Sequence, residues 1–162
     1  MRGSRFAVEL KRRKNPFIEQ FVPTGMYDSI LVATDGGDDA AEAVDVAIEL
    51  ARRFRADTHV LYVMDSRLVR TSATKDTYEQ LGERVLQEAH QRAAEEGVST
   101  TTTLETGPPA ESILEYAEKA HVDLIVIGGK KRSTAERFLL GSSAEKIVRH
   151  APVSVLTVRS PK

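Results

Sequence analysis

A chain of 162 residues, 41% of them hydrophobic, carries enough apolar material for one domain with a sizeable core. It contains no cysteine, which excludes disulfides, thiolate metal sites and thiol nucleophiles and is compatible with a reducing cytoplasm. Charge is nearly balanced, at 23 basic against 24 acidic residues, and no apolar run approaches the roughly 20 residues that cross a bilayer.

The balance hides an asymmetry. Residues 1–25 carry six basic residues (Arg2, Arg5, Lys11, Arg12, Arg13 and Lys14) against two acidic ones, leaving the remainder with 17 basic and 22 acidic. A mildly acidic body argues against a nucleic-acid-binding face, because clustered Lys and Arg are what meet phosphates. The run Lys11 to Lys14 has the form of a nuclear-targeting or nucleic-acid patch. However, Met1 to Ser4 reads as vector sequence, and Met26 reads as a natural start that runs directly into a strand. The expected division is an extension over 1–25, cloning-derived or accessory, and one domain over 26–162. The extension lacks the apolar core of a secretory signal, in keeping with a cytoplasmic protein and no membrane partner.

Ser29 to Thr34 is a short, mostly apolar run that suits a strand covered on both faces. Asp35 ends it, Gly36 and Gly37 turn, and Asp38 is placed to cap a helix whose apolar positions Ala40, Val44, Ala47, Ile48, Ala51 and Phe54 recur at helical spacing. Thr58 to Met64 predicts a second strand, and Tyr78, Leu81, Val85, Ala89 and Ala93 mark a longer helix ending near Gly97. Val98 to Thr106 is threonine-rich and strand-forming. Gly107, Pro108 and Pro109 stop it and open a helix carrying Ile113, Ala117 and Ala120. Leu124 to Ile127, Ser142 to Arg149 and Val153 to Val158 then read as strand, helix and strand.

Strands alternating with helices imply a parallel sheet with helices on both faces. In such sheets ligands bind beyond the carboxyl ends of the strands, where strand order reverses. Two segments there could meet one anion. Gly128 and Gly129, followed by Lys130, Lys131 and Arg132, let main-chain amides approach an oxyanion with cationic support. Gly141, Ser142, Ser143 and Ala144 open a helix whose start supplies amide donors and partial positive charge, with two hydroxyls beside them. Taken singly, each has a simpler reading: Ser142 to Glu145 as a capping box, Gly128-Gly129 as a turn, and Lys130 to Arg132 as a solvated loop.

In combination these segments resemble the nucleotide motif of the universal stress protein family: glycine, two residues, glycine, nine residues, then glycine and serine or threonine. Gly128, Gly141 and Ser142 match it, while Lys131 stands at the second glycine. The similarity covers roughly residues 26–160, including Ile30 to Gly36, Val60 to Asp65, Gly107-Pro108 and Leu139 to Val153. The resemblance implies a Rossmann-like α/β domain of the adenine nucleotide alpha hydrolase-like type, a five-stranded parallel sheet in the order 3-2-1-4-5. It implies ATP, ADP or AMP as ligand, with Ala33 and Thr34 lining the adenine side and Val63 meeting adenine through its backbone. Asp35 would face the ribose or a Mg²⁺ carried by the phosphates; the simpler role for Asp35 is to hold the Gly36-Gly37 turn. It further implies a homodimer through the last strand, Val153 to Val158.

The function expected on this basis is ATP-dependent stress-response regulation without fast catalysis. Two alternatives stay open: a dimeric stress protein in which Lys131 has abolished nucleotide binding, and a slow ATPase or phosphotransferase. His59, His90, His121 and His150 lack metal-ligand spacing, and neither a serine elbow nor a Gly-Lys-Ser/Thr phosphate loop is present.

Overall fold

The computed structural model describes residues 26–129 and 140–160. The strands are β1 (Ser29–Thr34), β2 (Asp57–Asp65), β3 (Thr100–Gly107), β4 (Leu124–Gly128) and β5 (Ser154–Val158). The helices between them are α1 (Asp38–Phe54), α2 (Ser72–Glu95), α3 (Pro109–Lys119) and α4 (Ser142–His150). All neighbouring strands pair in parallel in the order β3-β2-β1-β4-β5, as the resemblance implies.

That order dictates which face each helix covers. From β1 to β3 the chain steps one way across the sheet; from β3 it crosses back to β4 and continues the other way to β5. Crossovers of a single hand therefore put α1 and α2 on one face and α3 and α4 on the other. The burial pattern of β1 follows: Ile30 and Val32 pack with Ala43, Val44, Ala47 and Leu86, whereas Leu31 packs with Ile113, Ala117, Ala144 and Ile147. Ile30, Leu31 and Val32 are fully buried, and side chains of this kind each contribute about 1.5–3 kcal/mol on leaving water. A continuous apolar run in the sequence is thus the mark of a strand with a hydrophobic layer on both sides.

The two helices of one face are further tied by an ion pair, Arg52 to Glu96 at 2.9 Å, with Arg52 also paired to Glu49. At the amino ends of the strands the Asp123 carboxylate accepts the Asp28 amide at 2.9 Å, fixing the start of β1 to the approach to β4. No helix among the described residues is long and apolar enough to cross a membrane.

Candidate functional site

Strand order reverses between β1 and β4, and the carboxyl ends of these strands open into a cavity of about 640 Å³. Sites for small ligands fall at about 300–1,000 Å³, so the volume admits a nucleotide.

At the end of β1 the chain turns sharply. Thr34 Oγ1 accepts the Gly36 amide at 3.2 Å and Asp35 Oδ1 accepts the Gly37 amide at 2.9 Å. Gly36 lies at φ +82°, a left-handed conformation that glycine adopts without steric cost. The simple role of Asp35 in the turn is therefore real, and Asp35 lines the cavity as well. The helix cap differs from expectation. Gly37 occupies the N-cap of α1, and Asp38 is the first helical residue. Asp38 and Asp39 place two carboxylates on the positive end of α1, and Asp39 Oδ1 also accepts the Ser160 amide at 2.7 Å. The start of α1 is thereby supplied with negative charge by its own side chains.

The start of α4 is built differently. Its N-cap is Gly141, which has no side chain to offer, and no side-chain hydrogen bond caps the helix. The expected Ser142–Glu145 capping box does not form, because Ser142 lies one position inside the helix. The Glu145 amide takes the Gly141 carbonyl at 2.9 Å, while the amides of Ser142, Ser143 and Ala144 precede the first intrahelical acceptor. Three donors at a positive helix end border the cavity, together with the Ser142 and Ser143 side chains.

The glycines ending β4 do less for an anion than their sequence suggests. A Cβ on Gly128 would meet the backbone of Asp39 and Ala40 at 2.7 Å, so this glycine allows α1 to approach β4. The Gly129 amide donates to the Val158 carbonyl at 2.8 Å and is committed to β5. Both residues wall the cavity, but Gly129 spends its donor inside the sheet. Lys130, Lys131 and Arg132 lie outside the described residues.

Ala33, Thr34 and Val63 line the cavity. So do Asp65 and Arg67 after β2, and Pro109 and Ile113 of α3, which the motif reading did not single out. The rule that ligands bind beyond the carboxyl ends of strands would have pointed to Asp65 and Arg67. Arg67 grips Asp65 with Nη2 at 2.6 Å from Oδ2 and Nε at 3.0 Å from Oδ1. These hydrogen bonds hold the Asp65 carboxyl below its usual range against the opposing effect of burial. Earlier on β2, burial and the nearby Asp35 charge push the Tyr62 hydroxyl up. Among the described residues no cluster of three or more His, Cys, Asp or Glu side chains is arranged to hold a metal ion.

Fold and crevice together define a doubly wound α/β protein with an open crevice at its strand-order reversal. More narrowly, the chain belongs to the universal stress protein family, whose profile matches residues 26–159. It is 37% identical over 144 residues to the universal stress protein MJ0531 of Methanocaldococcus jannaschii, covering 85% of each chain. A universal stress protein solved in complex with cAMP superposes with a TM-score of 0.69 at 27% identity, covering 85% of this chain and 100% of that one. The universal stress protein of Archaeoglobus fulgidus in complex with dAMP gives 0.65 at 25% identity, covering 83% of this chain and 99% of that one.

Proposed function

We propose that this chain binds an adenine nucleotide, ATP in the first instance, in the β1/β4 crevice, and that it acts as a stress-response regulator through that binding rather than through catalysis. The observation that carries the reading is the uncapped start of α4 facing the same cavity as the end of β1. Phosphate oxygens take the amides of Ser142, Ser143 and Ala144, a role that Asp38 and Asp39 deny to the start of α1. The base lies toward Ala33 and Val63. Related structures at 25% and 27% identity hold dAMP and cAMP, which supports a nucleotide as the ligand.

Asp35 is the residue that would hold a Mg²⁺ travelling with the phosphates, since its Oδ1 faces the turn and its Oδ2 accepts no hydrogen bond among the described residues. Bound there, the ion would neutralise phosphate charge.

Titration calorimetry of the full chain with ATP, with Lys131→Gly in parallel, tests the reading. Saturable heat in either protein supports the site, and a gain on restoring glycine assigns the impairment to Lys131. No binding by either leaves the family's fold without its nucleotide. Assembly as a homodimer through β5 belongs to the same proposal. The strand forms one edge of the sheet with Leu156 37% exposed, an arrangement that invites pairing. A sedimentation coefficient of a monomer at micromolar concentration would remove that part.

A further inference from the structure

The turn that follows β2 is bonded to itself. The Leu68 amide takes the Asp65 carbonyl at 2.9 Å, and Arg70 Nε takes the Arg67 carbonyl at 3.0 Å. Within this turn the Asp65 carboxylate is saturated by one partner. Oδ1 receives the Arg67 amide at 2.9 Å and its Nε at 3.0 Å; Oδ2 receives Nη2 at 2.6 Å and Nε at 3.2 Å. The Asp65 side chain is 15% exposed and that of Arg67 74% exposed, so the guanidinium lies on the solvent side of the carboxylate. Both residues line the cavity.

Their position matters because β2 stands two strands from β4, about 10 Å at the usual spacing. A nucleotide with its phosphates at the start of α4 therefore extends its base toward the end of β2, where Pro109 and Ile113 supply apolar wall. An unpaired carboxylate there would choose between purines. Guanine presents two adjacent donors, N1–H and the exocyclic amino group, which the two oxygens of a carboxylate accept together. Adenine presents one amino group beside a bare acceptor nitrogen, which a carboxylate repels. An Asp65 already filled by Arg67 offers guanine nothing.

We propose that Arg67 is a specificity-determining residue of the crevice: by clasping Asp65 it withholds the carboxylate at the end of β2 that would favour guanine, so that the site takes adenine. The inference rests on the nucleotide reading above and adds the choice of base. Specificity here comes from denying the competitor a partner, which needs no added contact to the preferred base.

The test uses the full chain, with AMP and GMP as probes in parallel titrations of the wild type, Arg67→Met and the double variant Arg67→Met/Asp65→Leu. Methionine keeps the length of the side chain and removes its donors; because Arg67 is exposed, the fold is retained, which a thermal melt checks. The expected result is a wild-type preference for AMP, a gain in GMP affinity of about tenfold in Arg67→Met from the freed carboxylate, and loss of that gain in the double variant. A preference unchanged in Arg67→Met overturns the proposal, as does a GMP gain that survives removal of Asp65. Binding of neither nucleotide by the wild type or by Lys131→Gly overturns the nucleotide reading itself, an outcome distinct from binding without selection.

Discussion

A Cβ on Gly128 would stand 2.7 Å from the amide nitrogen of Ala40, so β4 ends in backbone contact with the first turn of α1. The wall of the crevice is set by this approach. Gly128→Ala must displace either α1 or the end of β4, since neither contact is with a flexible side chain. We expect a loss of about 1–3 kcal/mol in unfolding free energy, measured by urea denaturation, together with weaker ATP binding. Gly97→Ala is the contrast. Gly97 has φ +70° and nothing within 4 Å of an added Cβ, so only its backbone conformation is penalised, by about 1 kcal/mol and with no effect on the crevice. Equal stability and affinity for wild type and Gly128→Ala would show that α1 yields freely.

What the sequence made legible follows from which forces are local. Ile30 to Val32 and Leu124 to Ile127 read as buried strands because their apolar runs are unbroken, and the alternation of strand and helix led to a parallel sheet. The turn function of Asp35 was equally local, two residues from its Gly37 partner. The cap of α1 was misplaced by one residue, at Asp38 instead of Gly37, while α4 begins at Ser142 as read; Gly37 and Gly141 both cap without any side-chain signal. The use of Gly128 was hidden because the residue it accommodates, Ala40, is 88 positions away in the chain. The Asp65–Arg67 clasp falls outside the glycine motif, and only its place after a strand recommends it.

Thr58 is 1% exposed, and its Oγ1 has no hydrogen-bond partner among the described residues. The hydroxyl lies in β2, where it contributes shape but leaves a polar atom unsatisfied. Thr58→Val keeps the branched outline and removes that atom. We expect stabilisation by about 1 kcal/mol, seen as a higher urea midpoint at unchanged slope. A lower midpoint would mean that the hydroxyl has a partner such as a buried water.

His59 Nδ1 lies 3.0 Å from the Tyr116 hydroxyl, which is itself 3.3 Å from Thr103 Oγ1. Burial pushes the His59 pKa down, with the Asp57 charge opposing less strongly. The folded state therefore prefers the neutral ring. Above the unfolded value of about 6.5 both states are neutral and stability is complete. As pH falls below that value the unfolded chain takes up the proton first, and stability is lost until the folded pKa is passed. Thermal melts at about pH 7.5 and pH 5.5 should show a larger drop for the wild type than for His59→Gln. Equal drops would assign the acid sensitivity to other groups.

Gly141→Asp sets the needs of the helix against those of the site. Aspartate is a better N-cap than glycine, by a few tenths of a kcal/mol, because its carboxylate accepts the amides just inside the helix. Those are the amides of Ser143 and Ala144, which the proposed function gives to phosphate oxygens. The same substitution also brings a negative charge to where the ligand's charge would sit. The protein should therefore melt slightly higher while its affinity for ATP falls by about tenfold or more. Both readouts come from the same sample, by calorimetric titration and a thermal scan without nucleotide. A variant that melts higher yet binds ATP as the wild type does would place the phosphates elsewhere in the crevice, away from the start of α4.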